Sequence, residues 1–208
     1  MAEATEERGF SRVADPAPLG LAAFALTTFL LSGRNASFMP DGIWIGVAIS
    51  YGGLIQLLAG MWEFRNRNVF GATAFSSYGG FWLSLGIFAI LTNTQTTFYS
   101  AFQNAAQRNN ALAWFVIAFA IFNTYMVIWA SRVNLATLAV FLTLEVTEIL
   151  LAIGFLLVAH GRTDFWLHAG GWAGIVTAAV AWYASAAGVA NGMGSKSVIP
   201  VGKALWRE

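Results

Sequence analysis

The chain has 208 residues, of which 58% are hydrophobic and only 10% are Asp, Glu, Lys or Arg. Soluble domains carry about 25% charged residues, so with a mean hydropathy of +0.64 the composition excludes an ordinary soluble fold and points to an all-α integral membrane protein. A formal net charge of +1 argues against a nucleic-acid partner, and the lack of cysteine excludes disulfides and thiolate metal sites.

Residues 1–13 mix acids with bases (Glu3, Glu6, Glu7, Arg8, Arg12). They lack the basic stretch that directly precedes the apolar run of a secretory signal. They read as a cytoplasmic N-terminal tail. Six apolar stretches follow, at 18–32, 42–62, 73–91, 111–130, 134–159 and 165–187, and a spanning helix needs about 20 such residues. The expectation is a six-helix transmembrane domain over 14–190 and a cytoplasmic C-terminal tail over 191–208. Pro16, Pro18, Pro40 and Pro200 all fall at the edges of the spans or outside them, as they must if the helices are to keep their hydrogen bonds. An even number of spans puts both termini on one side. That side holds Arg8, Arg12, Arg65, Arg67, Arg132, Lys196, Lys203 and Arg207, against Arg34, Arg108 and Arg162 on the other. The positive-inside rule then places both termini in the cytoplasm.

The first stretch opens with Asp15-Pro16-Ala17-Pro18-Leu19-Gly20-Leu21. Proline suits a helix start, where its missing N–H had no partner, and Asp15 can accept from the free N–H groups there. Ala17, Gly20, Ala22 and Ala23 leave room for another helix to approach. Thr27 lies three residues after Phe24, on a similar face.

In the second stretch Gly53, Gln56 and Gly60 share a stripe. The Gln56 amide, deep in the membrane, needs a partner or water, so it serves either an interhelical hydrogen bond or a polar path. Ser-Tyr-Gly-Gly at 50–53 recurs at 77–80, too short a match to claim a repeat. The polar segment 92–110 is predicted to be an outer loop with a short helix around 98–106. The fourth stretch is bulky and aromatic: Trp114, Phe115, Phe119, Phe122, Tyr125 and Trp129. It reads as a face turned to lipid or to a neighbouring subunit.

The fifth stretch carries Glu145 and Glu148, three apart on one face, with Leu144 one turn before Glu148. Acids within the membrane are rare and costly. They are either a proton site or a hydrogen-bonded structural pair, within the protomer or across a subunit interface. In the sixth, Thr177, Ala181 and Tyr183 follow His168. His160 and His168 have no third ligand nearby, so no metal is expected.

Enzyme motifs are missing: there is no nucleotide-binding glycine loop, His-Glu-x-x-His or Gly-x-Ser-x-Gly. Lys196 and Lys203 both follow the last span, which excludes a retinal Schiff base. Neither catalysis nor a cofactor is expected. What remains is a charge-poor bundle suited to passing a small solute.

The heptapeptide from Asp15 to Leu21 is similar to the Asn-Pro-Ala-Pro-Leu-Gly-Leu signature of the acetate uptake transporter family, the succinate–acetate permease group, and differs only at Asp15. A second match is Asn68-Val69-Phe70-Gly71-Ala72-Thr73-Ala74-Phe75-Ser76-Ser77-Tyr78-Gly79-Gly80-Phe81-Trp82-Leu83-Ser84. The resemblance implies six-helix protomers that assemble in the bilayer as homo-hexamers and carry acetate, succinate and related small carboxylates, as a channel or a proton-coupled carrier. It implies a constriction at Phe24, Tyr78 and Leu144, and ties Ala181 to substrate size. Thr27, Gln56 and Tyr78 can then replace water at the carboxylate, while the apolar ring suits the methyl group and blocks hydrated ions. Glu145 and Glu148 depart from the family pattern, and one of them is expected to be protonated during transport. Other readings are passage of ammonium, carbon dioxide or a dicarboxylate, or a membrane sensor without flux.

Overall fold

Asp15 sets the first helix. Its Oδ1 accepts from the Ala17 N–H at 3.0 Å, and the Pro16 carbonyl accepts from Gly20 at 3.1 Å. In the computed structural model of the protein, which describes residues 13–93, 104–194 and 198–206, α1 runs Ala17–Asn35. Then come α2 (Ile43–Arg65), α3 (Val69–Asn93), α4 (Ala105–Ala130), α5 (Leu135–Ala159) and α6 (Phe165–Gly192). All six are long and apolar enough to cross a membrane, and no strand occurs among the described residues.

Several helices extend past the apolar stretches because polar caps sit beyond the apolar run. Asn68 Oδ1 accepts from Gly71 N–H at 3.0 Å, so α3 starts at Val69 rather than 73. Asn104 Oδ1 accepts from Ala106 N–H at 2.8 Å, so α4 starts at Ala105 rather than 111. Of the short helix expected around 98–106, residues 98–103 lie outside the described residues, and Ala105 and Ala106 belong to α4.

Small residues decide which helices touch. Along α2 and α3, a Cβ added at Gly79 would lie 2.8 Å from Leu57 Cβ and backbone N, at Gly53 2.7 Å from Leu83, and at Gly86 2.8 Å from Ile49. Close antiparallel packing follows. Gly188 meets Pro18, Gly174 meets Ser32 and Gly171 meets Ala36, seating α6 against α1, while Gly170 of α6 fits Leu151 of α5 and Gly154 of α5 fits Leu167 of α6. The helices are thus arranged in space as α3, α2, α1, α6, α5, α4, and the backbones of the two ends of this arc, α3 and α4, stay apart while side chains such as Phe81 and Phe119 meet between them. The arc encloses a common centre.

Within α2 the segment Ser50–Ile55 is π-helical, a widening that marks functional positions in many helices. It brings Gly52 against Thr27, where an added Cβ would sit 2.8 Å from Thr27 Cβ. The second Ser-Tyr-Gly-Gly, in α3, is ordinary α-helix, so the two tetrapeptides do not share a conformation.

Residues 198–206 fold back over the bundle. Asn191 bonds both polar groups of the Ile199 backbone, at 2.9 and 3.0 Å. Val201 O accepts from Ala136 N–H at 2.9 Å and Ser131 O from Leu205 N–H at 2.9 Å. Trp206 Nε1 donates to Ser131 Oγ at 2.8 Å, and the Arg132 guanidinium lies 4.4 Å from the Trp206 ring.

Candidate functional site

The centre of the arc is apolar and closed. Phe24 of α1, Tyr78 of α3, Leu144 of α5 and Ala181 of α6 belong to one buried cluster, with exposures of 4%, 3%, 6% and 0%. Phe24 meets Tyr78 edge-on, with ring centroids 5.7 Å apart. Phe81, Phe119, Phe122 and Phe141 surround the same tyrosine at 6.1, 6.0, 5.6 and 6.5 Å. Here the reading of the fourth stretch needs correction. Trp114, Tyr125 and Trp129 are exposed as expected, but Phe115, Phe119 and Phe122 turn inward, toward Phe81 or Tyr78.

One polar network crosses this apolar centre. Asn123 of α4 is fully buried. Its Nδ2 donates to the Phe141 carbonyl at 3.0 Å and to Glu145 Oε2 at 2.7 Å. A carbonyl can only accept, so the amide orientation is fixed and Oδ1 faces Tyr78. The Tyr78 hydroxyl donates to that oxygen at 3.0 Å. Glu148 Oε1 lies 3.3 Å from the same hydroxyl. A phenol has one proton, and Asn123 takes it. With that proton on Asn123, a protonated Glu148 can complete the contact by donating to the phenol oxygen. Glu145, half-buried, lies 2.7 Å from the Asn123 amide and 2.8 Å from the Thr124 hydroxyl, which also bonds the Ala120 carbonyl at 2.8 Å. The two acids that share a face in sequence thus have different surroundings.

The remaining candidates spread along the bundle. Thr27 is fully buried, bonds the Ala23 carbonyl at 2.9 Å and packs on Gly52. Gln56 is 2% exposed, lies outside the central cluster, and its Oε1 has no hydrogen-bond partner among the described residues. Of the heptapeptide, Asp15 and Leu19 are exposed, Pro16 is buried, and Ala17 and Pro18 are half-buried. Gly20 seats Phe75 and Leu21 packs on the central cluster. The Pro18 carbonyl accepts from Ser185 at 2.7 Å. Thr147 and Thr177 meet at 3.0 Å between α5 and α6.

Two groups escaped sequence reasoning. Asn123 is a lone amide within an apolar stretch, and the argument applied to Gln56 would have singled it out. Glu63 reads as the charge that ends the second span, yet it is 0% exposed, with Asn66 Nδ2 on its Oε2 at 3.2 Å.

Residues 4–204 match the GPR1/FUN34/yaaH family. The chain belongs to that family. It is 40% identical over 208 residues to "Acetate permease A" of Emericella nidulans, covering 94% of this chain and 68% of that protein. It is 33% identical over 196 residues to "Succinate-acetate/proton symporter SatP" of Escherichia coli K12, covering 94% of this chain and 98% of that one. A solved structure described as the bacterial acetate channel SatP superposes with a TM-score of 0.81 at 34% identity, over 91% of this chain and 99% of its own. The resemblance carried by the two motifs is borne out, and the six-helix all-α membrane architecture with it. This GPR1/FUN34/yaaH member is a multi-pass membrane protein of a transport family, not an enzyme.

Proposed function

We propose that this GPR1/FUN34/yaaH protein passes acetate and related small carboxylates, succinate among them, through the centre of each protomer. The single observation that carries the reading is the meeting of Phe24, Tyr78, Leu144 and Ala181 in one buried cluster. Those side chains come from four helices, and each of the four belongs to the path the resemblance implies. Acetate has a charged end and a methyl. Thr27, Gln56 and Tyr78 supply hydroxyl and amide groups that replace water at the carboxylate. The aromatic ring and Leu144 take the methyl and refuse a hydrated inorganic ion, which cannot shed its water there. Because the centre is closed, passage requires Phe24, Tyr78 or Leu144 to change rotamer.

Glu148 is the proton site of this reading. As a neutral acid it does not repel a passing carboxylate, and giving up that proton toward the path couples anion and proton movement. Glu145 is held to α4 by Asn123 and Thr124. Ala181, fully buried in the cluster, sets the width. Asp15, Pro16, Ala17, Pro18, Leu19, Gly20 and Leu21 form the entry to α1 at the cytoplasmic end. Protomers assemble as a homo-hexamer in the plasma membrane, with residues 1–13 and 191–208 in the cytoplasm.

The test is uptake of radiolabelled acetate into proteoliposomes of the purified protein, with succinate and lactate as competitors. Saturable uptake, abolished by filling the centre with A181F, is the expected result. Liposomes that bind acetate without accumulating it would support a sensor instead. Native mass measurement in detergent tests the hexamer, and protease protection of tags at the two ends tests the sidedness.

A further inference from the structure

A second feature lies beyond the closed centre, at the ends of the helices away from the chain termini. It is a cavity of about 210 Å³, lined by Phe81 and by Arg34, Asn35, Asp41, Arg108 and Asn109 among others. Phe81 is also the next aromatic after Tyr78, at 6.1 Å. The cavity is therefore the antechamber of the central cluster. One water's share of liquid is about 30 Å³, so the space matches a molecule of a few heavy atoms.

Its charge pattern is specific. Only three cationic side chains lie on this side of the chain, Arg34, Arg108 and Arg162, and two of them line this one cavity, one from α1 and one from α4. Asp41 is the one acid in the lining, and its oxygens are engaged. Oδ1 accepts from Gly42 N–H at 2.9 Å and Trp44 Nε1 at 2.6 Å, and Oδ2 from Arg34 Nε at 3.2 Å. Arg34 Nη1 meanwhile donates to Asn35 Oδ1 at 3.1 Å, and Asn35 is 3% exposed. The Arg34 fork is thus fixed in place before any ligand arrives, which lowers the ordering cost of binding. Two guanidinium groups against one carboxylate leave the cavity with a net positive charge.

We propose that this cavity is a docking station for short dicarboxylates of the succinate type, with Arg34 taking one carboxylate and Arg108 the other. Guanidinium pairs with carboxylate by two parallel N–H donors. A diacid engages both arginines, whereas acetate engages only one. The station therefore favours the diacid over acetate before either reaches the central ring. The inference rests on the carboxylate-transport reading for its purpose, but its geometry concerns binding alone.

The experiment is isothermal titration of succinate and of acetate into detergent-purified wild-type protein, R34Q and R108Q, at low and high salt. Succinate is expected to bind wild type at least about tenfold more tightly than acetate, and to fall to the acetate level in either variant. Salt should weaken succinate more than acetate, because two exposed charge pairs are screened rather than one. Equal affinities for succinate and acetate in the wild type would overturn the proposal. So would succinate affinity unchanged in both folded variants, or insensitive to salt. If a glutamine variant fails to fold, the wild-type salt series decides alone. Acetate uptake by wild-type proteoliposomes is read separately: tight succinate binding without acetate flux sinks the transport reading, and flux without preferential succinate binding sinks the station.

Discussion

Tyr78 and Glu148 meet at 3.3 Å across the middle of the bundle, although 70 residues separate them in the chain. In the proposed mechanism the Tyr78 proton goes to Asn123 and Glu148 meets the phenol oxygen as an acid. Replacing Glu148 by Gln preserves a donor toward the phenol oxygen and removes the exchangeable proton. E148Q should fold like wild type and lose the acid stimulation of acetate uptake. Uptake measured from acidic to neutral pH checks this, and an overlay of the two profiles would leave Glu148 with a structural role only.

Asn123 is the node on which three helices agree. Its loss leaves the Tyr78 hydroxyl, the Phe141 carbonyl and Glu145 short of a partner at once. An unsatisfied buried polar group costs about 1 to 3 kcal/mol, so N123A should be destabilised by about 3 kcal/mol, with N123D differing from it in pH dependence. Thermal unfolding in detergent is the measurement. A loss no larger than that of a surface alanine substitution on α4, such as I121A, would show that the network contributes little.

Two adjacent glycines separate packing from propensity. A Cβ at Gly79 would lie 2.8 Å from Leu57 backbone N, which cannot rotate away, while one at Gly80 meets nothing within 4 Å. G79A should push α2 and α3 apart and cost about 1 to 3 kcal/mol. G80A should be neutral or slightly stabilising, since alanine is the better helix former. The comparison is made on purified protein in one detergent, and equal melting temperatures for the two variants would contradict the packing described here.

Asp41 gives a pH signature outside the membrane spans. Burial pushes its carboxyl up, but the Trp44 N–H, the Arg34 charge and the Gly42 N–H outweigh it and hold the group below the ordinary value of 3.8. A depressed folded value stabilises above the unfolded one and is lost as pH falls through it. Wild type should therefore exceed D41N in stability at neutral pH, with the gap closing below pH 3.8. A gap that stays constant through the acid range would show that the Asp41 charge is not the source.

The returning segment 198–206 is held at Trp206 by Ser131 and by Arg132 stacking. W206A should lose about 1 kcal/mol and, by freeing the segment, speed trypsin cleavage at the exposed Lys203. Time-resolved digestion of wild type and W206A in detergent reads this directly. Identical cleavage rates at Lys203 would mean that Trp206 does not hold the segment.

Much was legible in the chain itself. Six apolar runs, four prolines at their edges and the sorting of arginines are local properties, and spanning a bilayer is a local demand on length and polarity. The two motifs named the family for the same reason: they are contiguous. Glu145 and Glu148 stood out because a charge in hydrocarbon is costly wherever the helix faces. What only the tertiary structure decided was direction. In a helix apolar all round, lipid and core demand the same side chains, so no polarity stripe tells the inward face from the outward one. That is why Phe119 and Phe122 read as lipid-facing yet surround Tyr78, and why Asn123 passed unremarked although it orders the centre. Glu63 marked the end of a span in the chain and is buried in the fold. The split between the two glutamates, one against a phenol and the other against an amide, depends on which neighbour α3 and α4 bring to each, and no spacing along α5 encodes that.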